Sequence, residues 1–393
     1  MTRRRAFSHR GGLTAVTLSW GVALLELLRL AWALYQRAAL KPVPARLPAE
    51  SGAGDPPVSV IIPARNEAAT IEACLEGARG QAYGDLHILV VDDRSEDGTA
   101  ELVRRVARAD PRVELVEGQA LPPGWMGKSW ALHQGAQRAR GEWLLFVDAD
   151  TRLLPGAVAG AVDEARRRGV PVLSALTAQE LHTPWERIVQ PAVFAAIAEA
   201  MPVTLVNDPR FPHLAIANGQ FLLVHRDAYR AIGGHAAVRG EIAEDAYFAR
   251  RAKELRIPYW LGDGRRLATT RMYATPAALW EGWTKNLHAG AALLPWLVPS
   301  GTLYMVLVLV APYVSLWQAL RRRSPALAGA GMVQLATSLA ARRLTDRAFG
   351  VPLGYTLTQP LGQLAFLALL VTSFWRVLTG RGVTWKGRQY YAG

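Results

Sequence analysis

The chain has 393 residues, of which 51% are hydrophobic, and a formal net charge of +13. The charge is unevenly distributed, because residues 1–50 carry +6, residues 291–393 carry +9 and residues 51–290 carry −2. A nucleic-acid reader needs its basic face on the folded domain, so this distribution excludes nucleic acid as the expected partner and favours an anionic membrane surface.

The N-terminal run, residues 13–34, is apolar apart from Glu26 and Arg29, which stand one helical turn apart and can form an ion pair. A run of this length can cross a bilayer, and we predict a transmembrane anchor. A cleaved signal peptide is the alternative, because residues 31–33 resemble a small-x-small cleavage site. The two charges inside the apolar run count against cleavage.

The middle of the chain alternates short apolar runs with helical patterns. This alternation predicts an α/β domain with a mostly parallel sheet covered by helices on both faces. Ligands bind such sheets at the carboxyl ends of the strands. The predicted strands are residues 58–63, 86–92, 113–116 and 143–147, and the predicted helices are residues 68–79, 99–109, 129–140 and 241–255.

Polar residues follow three of these strands. Residues 63–67 follow the first strand, residues 92–99 follow the second, and Asp148 and Asp150 follow the fourth. Any one cluster could simply cap a helix, but three clusters at neighbouring strand ends indicate a binding site. Alternation along a strand would send Asp148 and Asp150 to one face, where a divalent cation could bind both.

The polar clusters also carry a family resemblance, which covers about residues 56–290. In order, four segments resemble the family 2 glycosyltransferases with a GT-A fold. Residues 122–132, the apolar flanks and residues 384–390 look like the membrane-bound branch, and the nearest group is the hopene-associated glycosyltransferases, with carotenoid and ceramide glycosyltransferases as relatives. The four segments are residues 59–67, residues 90–99, Asp148-Ala149-Asp150 and Glu244-Asp245.

The resemblance implies a catalytic domain with a Rossmann-like GT-A sheet. It also implies that the enzyme transfers a sugar from a nucleotide-diphosphate sugar, expected to be a UDP-sugar, with inversion at the anomeric carbon. It also implies Mg2+ or Mn2+, which take carboxylate oxygens together with phosphate oxygens. Asp150 and Asp148 are the expected metal ligands. The residues expected at the nucleotide sugar are Pro63, Arg65, Glu67, Asp92, Lys128 and Asp148.

Lys128 stands out because the chain has only five lysines against 40 arginines. Where only solubility is required this sequence uses Arg, so a Lys in a Gly-rich loop indicates a point contact with a diphosphate. A solvated surface lysine is the alternative.

Glu244 and Asp245 stand in the first turn of a predicted helix, where the helix dipole favours an ionised carboxylate. Asp245 is the expected general base for the acceptor hydroxyl. Glu244 could act as the base instead, or both residues could only cap the helix.

On the acceptor side, the resemblance implies that Asn218 and Gly219 shape the pocket, although Asn-Gly also suits a plain turn. Processive members of the family carry a Gln-x-x-Arg-Trp motif, where this chain keeps only Trp283 and offers Lys285 as a replacement cation. We therefore expect one sugar per acceptor. Trp283 could equally be a membrane-interface anchor.

The C-terminal region contains two runs without a charged residue, residues 287–320 and 348–375, and each predicts at least one transmembrane helix. Residues 324–341 could form a third. The predicted domains are an anchor with a linker at 1–50, a catalytic domain at 51–290 and a membrane domain at 291–393.

Membrane helices beside a catalytic domain predict a lipid acceptor of hopanoid or isoprenoid type. A carotenoid, sphingolipid or polysaccharide acceptor, a phosphosugar or nucleotidyl transferase, and a non-catalytic membrane scaffold are the alternatives. Because nucleotide sugars are cytoplasmic, we expect a multi-pass protein of the inner (plasma) membrane whose catalytic domain faces the cytoplasm. The single cysteine, Cys74, excludes a disulfide within the chain and agrees with that side.

Overall fold

The computed structural model describes residues 2–46, 54–293, 297–379, 383–385 and 388–390. The chain divides into two compact units. The sheet unit comprises Ala39–Glu180, Met201–Gly290 and Gly382–Gly393, and the helical unit comprises Met1–Ala38, Leu181–Ala200 and Ala291–Arg381.

The sheet unit is built on a seven-stranded sheet. The strands in chain order are β1 (Val58–Ala64), β2 (Leu86–Asp92), β3 (Val113–Glu117), β4 (Trp143–Phe146), β5 (Thr151–Leu153), β6 (Val172–Leu176), β7 (Ala178–Gln179), β8 (Leu222–His225), β9 (Tyr259–Asp263), β10 (Ala268–Thr270), β11 (Val383–Trp385) and β12 (Arg388–Tyr390). The main sheet has the order β3-β2-β1-β4-β8-β6-β9. Its neighbouring strands are parallel, except that β8 runs antiparallel to both β4 and β6.

The helices in chain order are α1 (Thr2–Ala39), α2 (Ile71–Arg79), α3 (Thr99–Ala109), α4 (Gly127–Arg138), α5 (Ala157–Arg168), α6 (Pro184–Ala200), α7 (Val203–Val206), α8 (Arg226–Ile232), α9 (Glu244–Glu254), α10 (Pro276–Leu293), α11 (Leu297–Arg322), α12 (Pro325–Ala348) and α13 (Gln359–Leu378). Two further segments, Gly234–Val238 and Leu353–Thr358, are 3-10 helices.

Alternate residues of the central strands pack into two separate cores. In β1, for example, Val60 and Ile62 belong to the core that contains α2, α3 and α5. Ile61, between them, belongs to the core that contains α4, α8 and α9. The sheet is therefore covered by helices on both faces, and the predicted α/β fold with a mostly parallel sheet is confirmed.

Two local predictions at the strand ends are wrong. The first helix begins at Ile71 rather than at residue 68, because residues 65–70 form a loop in which Asn66 has a φ of +52°. The fourth strand ends at Phe146, so Asp148 and Asp150 lie in the turn between β4 and β5 and not on a strand. Strand alternation therefore does not set the direction of their side chains.

The helical unit contains α1, α6, α11, α12 and α13. Within the described residues, three segments are long and apolar enough to cross a membrane: Leu13–Ala39, Gly301–Arg322 and Leu353–Arg376. These agree with the three strongest apolar runs of the sequence. The additional run at 324–341 lies in α12, which is not among these candidate spans and carries a buried ion pair, Arg342 Nε to Asp346 Oδ1 at 2.8 Å.

The ion pair predicted within the N-terminal helix does not form. Arg29 pairs with Glu199 of α6 instead, at 2.9 Å between Nε and Oε1. Glu26 is buried, and its carboxyl oxygens have no hydrogen-bond partner among the described residues. A helix in the same unit thus offers Arg29 a better-placed carboxylate than its neighbour one turn away.

One predicted domain boundary and one predicted motif include residues outside the described ranges. The boundary at residue 50 lies within residues 47–53, and the predicted motif at 384–390 includes Lys386 and Gly387, which are also outside them. The described parts of that motif form the β11–β12 hairpin.

Lys253 in α9 fixes a loop of the sheet unit. Its buried ammonium group donates to the carbonyl oxygens of Val206 at 2.8 Å, Phe211 at 2.7 Å and Leu214 at 2.9 Å, and to that of Leu205 at 3.3 Å. Buried carbonyl groups need partners, and one side chain here serves four of them. Lys253, another of the five lysines of the chain, therefore has a structural role.

We expect Lys253→Met to lower the free energy of unfolding by about 3 kcal/mol, because buried carbonyl groups lose charge-assisted hydrogen bonds. The melting temperature of the full chain in detergent should fall by roughly 6 to 12 °C. Arg250→Met on the same helix removes a surface ion pair with Glu254 and longer-range contacts with Glu241 and Tyr247, and it should leave the melting temperature within about 2 °C. Equal melting temperatures for the two variants would contradict this role of Lys253.

Candidate active site

Lys128 joins two carboxylates that are 96 residues apart in the sequence, Asp148 and Glu244. Its Nζ lies 2.8 Å from Asp148 Oδ1 and 2.8 Å from Glu244 Oε1. Lys128 is the second residue of α4, Asp148 follows β4, and Glu244 begins α9. The ammonium group therefore holds together the predicted nucleotide-sugar residues and the predicted base region.

The neighbouring carboxylate is held by backbone. The N–H of Gly219, just before β8, donates to Asp245 Oδ2 at 2.8 Å. A Cβ on residue 219 would lie 2.9 Å from Lys128 Nζ and 3.3 Å from Asp245 Oδ2. A side chain at residue 219 would therefore push against the charged ends of Lys128 and Asp245 and force the Lys128 ammonium group to shift.

The charges of this cluster shift one another's pKa values. Burial alone would lower the pKa of Lys128, but the carboxylates of Asp148, Glu244 and Asp245 raise it well above its ordinary value. Burial and the negative charge of Glu244 raise the pKa of Asp245 to about 6. Burial and the charge of Lys128 lower the pKa of Lys285 to about 8. Lys285 of α10 thus lies within electrostatic reach of the site.

The loops after β1 and β2 are tied to each other. Asn66 Oδ1 accepts from the Glu96 N–H at 2.9 Å, and the Asn66 N–H donates to Ser95 Oγ at 2.9 Å. Arg65 Nη1 donates to the Asp93 carbonyl at 2.7 Å. These bonds fix two of the three predicted polar clusters into one surface at the strand ends.

Asp92 at the end of β2 is 7% exposed. Its Oδ2 accepts from the Ser95 N–H at 3.1 Å, whereas Oδ1 is buried and has no hydrogen-bond partner within the part of the chain that the structure describes. A buried acceptor without a donor is costly. It is therefore suited to a donor group of a ligand, such as a ribose hydroxyl or a base N–H.

Asp150 lies at the end of the turn between β4 and β5, directly before Thr151 of β5. Its Oδ1 accepts from Thr151 Oγ1 at 3.4 Å. Burial and then the charge of Asp150 raise the pKa of the Tyr273 phenol. Tyr273 also accepts from Asn286 of α10 at 3.3 Å, so the carboxylate, the tyrosine and α10 share one region.

The donor set fits a divalent cation bound together with a diphosphate. Among the described residues, no three His, Cys, Asp or Glu side chains converge as a metal-binding group, so the protein offers the carboxylates of the 148–150 turn and no complete cage. Mg2+ and related cations take one or two carboxylates and complete their shell with phosphate oxygens and water. Asp150 and Asp148 would hold such an ion.

The remaining predicted residues have partners within the sheet unit. Pro63 pairs in register with Val91 of β2. Glu67 accepts from the Thr70 hydroxyl at 3.1 Å. The Asn218 amide donates to the Ala175 carbonyl at 3.0 Å, which is a structural bond of its turn.

Trp283 is 2% exposed and packs edge-on against Tyr273, with ring centroids 5.8 Å apart. A buried position does not suit a membrane-interface anchor, whereas Trp280 on the same helix is 38% exposed. Tyr273 was not predicted as a site residue, and its position ten residues before Trp283 is the one signal that the sequence offers for it.

Residues 59–233 match the family model described as Glycosyl transferase family 2. A 4,4'-diaponeurosporenoate glycosyltransferase of Staphylococcus aureus (strain MRSA252) is 28% identical over 343 residues, 85% of this chain and 88% of that protein. The enzyme of the same name from Staphylococcus haemolyticus is 28% identical over 244 residues, 60% of this chain and 62% of that protein.

Among solved structures, a mannosyltransferase from Pyrobaculum calidifontis, determined in complex with GDP-Man and Mn2+, aligns with a TM-score of 0.52. The two chains are 20% identical, and the alignment covers 94% of this chain and 98% of that one. At this identity the likeness concerns the fold, and the predicted GT-A fold is confirmed.

We expect the Asp245 carboxyl group to be protonated below about pH 6 and ionised above it, because its pKa is raised to about 6. Infrared difference spectra of the full chain against Asp245→Asn isolate this carboxyl during a pH titration. Glu244→Gln removes a neighbouring negative charge and should move the titration to lower pH. Glu254→Gln, at the far end of α9, should leave it in place, and equal titrations in all three proteins would contradict the coupling.

Proposed function

We propose that the chain is a glycosyltransferase whose residues 59–233 form a family 2 domain, and that it transfers one sugar from a nucleotide-diphosphate sugar to a membrane lipid, with inversion at the anomeric carbon. The observation that carries the proposal is the convergence of Lys128, Asp148, Glu244 and Asp245 at the strand ends of the sheet. This arrangement offers a cation for a diphosphate and a carboxylate for an acceptor in one place.

Each residue then has a chemical task. Asp92 offers its unpartnered oxygen to the nucleoside, and Lys128 neutralises charge on the diphosphate as it leaves. A divalent cation bound by Asp150 and Asp148 supplies further neutralisation of the leaving group when present. Pro63, Arg65 and Glu67 belong to the same proposed nucleotide-sugar surface.

Asp245 removes the proton from the acceptor hydroxyl. The acceptor oxygen forms a bond to the anomeric carbon while the bond from that carbon to the diphosphate breaks, and the electron pair leaves with the diphosphate. A single base opposite the leaving group gives inversion. The N–H of Gly219 keeps Asp245 oriented, with Asn218, Trp283 and Lys285 proposed around the acceptor.

We expect Asp245→Ala and Asp150→Ala to lower transfer of radiolabelled sugar from a UDP-sugar to a hydroxylated lipid in membrane extracts by at least about 10²-fold. Chelation should abolish transfer, and Mn2+ or Mg2+ should restore it. Asp227→Ala, an exposed carboxylate of α8, serves as the control and should retain activity.

The product of the same assay separates the alternatives. Release of the nucleoside diphosphate supports glycosyl transfer, whereas release of the nucleoside monophosphate would indicate a phosphosugar transferase. Binding of the nucleotide sugar without any product would favour the membrane scaffold. Activity that survives chelation would contradict the metal.

The proposed acceptor is an isoprenoid-type lipid. Three helices apolar enough to cross a membrane support a lipid, and the names of the curated relatives specify a carotenoid acid, which favours a carotenoid-type acceptor over a hopanoid. We further propose a multi-pass inner-membrane protein with its catalytic domain in the cytoplasm. A reporter fused at Ser51 that is active only in the periplasm would contradict this orientation.

The chemistry of the acceptor decides whether the reaction needs Asp245 as a general base. A carboxylic acid is already ionised near neutral pH and needs no base, whereas an alcohol must lose its proton. We expect Asp245→Asn to lower transfer to a hydroxylated isoprenoid by 10²-fold or more, and to lower transfer to a carotenoid carboxylic acid much less.

Purified enzyme that transfers sugar only to soluble acceptors would overturn the lipid proposal.

A further inference from the structure

A line of buried hydroxyl and amide groups connects Asp150 with the loop that holds Asp245. It runs through the small three-stranded sheet of order β5-β10-β7. In this sheet Thr270 of β10 stands opposite Thr151 of β5 and in register with Gln179 of β7. The small sheet therefore lines up polar side chains directly behind the 148–150 turn.

At the Asp150 end, both hydroxyl groups are fully buried; the Thr151–Thr270 hydrogen bond has an ordinary length, and the contact of Thr151 with Asp150 is longer. Thr151 Oγ1 lies 3.4 Å from Asp150 Oδ1 and 2.9 Å from Thr270 Oγ1. Thr151 is 0% and Thr270 1% exposed. Water therefore cannot take over either hydroxyl, and each must be satisfied by its protein neighbours.

At the other end, the line reaches the loop before β8. Thr270 Oγ1 lies 3.5 Å from Thr177 Oγ1. The Thr177 hydroxyl donates to Gln220 Oε1, and Gln179 Nε2 donates to both of them at 3.1 Å. Gln220 directly follows Gly219, whose N–H holds Asp245.

The chemistry of the groups sets the direction of these bonds. An ionised carboxylate only accepts hydrogen bonds, so the single proton of Thr151 is committed to Asp150. Thr270 must then donate its single proton to Thr151. Since Thr177 donates its own proton to Gln220, the 3.5 Å approach of Thr270 to Thr177 is a packing contact and not a second hydrogen bond. A hydroxyl pair polarised in this way holds the carboxylate in one orientation, which a valine of the same shape could not do.

We propose that Thr151 and Thr270 are positioning residues for Asp150. This inference rests on the proposed function, in which Asp150 is a metal ligand. Partners that orient a ligand group typically change metal affinity 10- to 100-fold when they are removed.

The test measures Mn2+ binding by the loss of the free-ion EPR signal on the full chain in detergent, with and without UDP. Thr151→Val and Thr270→Val should each weaken Mn2+ binding by roughly tenfold and raise by a similar factor the Mn2+ concentration that gives half-maximal transfer. Thr151→Ser and Thr270→Ser keep the hydroxyl and should restore wild-type affinity.

Thr269→Val is the matched control, because Thr269 neighbours Thr270 on β10 but pairs with Arg152 on β5 rather than with Thr151. It should bind Mn2+ like the wild type. Melting temperatures of all variants report folding separately. In an Asp150→Ala background, Thr270→Val should have no further effect on Mn2+ binding if it acts through Asp150.

The outcomes separate this inference from the proposed function. Wild-type protein that binds no Mn2+ under either condition and transfers sugar without it would overturn the metal role of Asp150, and with it this inference, but not sugar transfer itself. Wild-type protein that binds Mn2+, together with valine variants that bind it equally well, would overturn only the positioning role. Weaker binding in the valine variants that serine does not restore would also count against it, because a loss of packing would then explain the result.

Discussion

The site depends on one ammonium group placed among carboxylates. If Lys128 carried no charge, the three carboxylates around it would repel one another across a partly desolvated space, and fewer of them would stay ionised. These are Asp148, Glu244 and Asp245. The cation compensates that repulsion, while burial and Glu244 still keep the pKa of Asp245 near 6. A carboxylate with this pKa is ionised at neutral pH and yet basic enough to accept a proton. Lysine suits the task because a compact point charge can serve two carboxylates from different elements.

Much of the fold could be predicted from the sequence because the central strands are continuous apolar runs. The bounds of β2 and α3 agree with the predicted ones, since apolar periodicity and flanking Gly or Asp residues are local signals. The start of α2 could not be predicted, because the left-handed conformation of Asn66 depends on contacts with residues 95 and 96. The predicted ion pair between Arg29 and Glu26 was wrong for the same reason, since the actual partner of Arg29, Glu199, is 170 residues away in the sequence.

For the site, rarity proved a useful signal. Two of the five lysines, Lys128 and Lys253, each hold several oxygens from separated segments, in a chain that otherwise uses arginine. The hydroxyl line from Thr151 to Gln220 carries no such signal. Threonine and glutamine are common residues, and only the register of the small sheet brings them together.

The reversed strand β8 has a consequence for how the site can vary. Because β8 runs against β4, Leu222 at its start lies beside Phe146 at the end of β4, and the chain enters the site edge where its neighbours leave it. The turn that leads into β8 contributes there the main-chain N–H of Gly219, which holds Asp245. Every amino acid except proline retains that donor, so mutation can crowd this part of the site much more easily than it can remove its hydrogen bond.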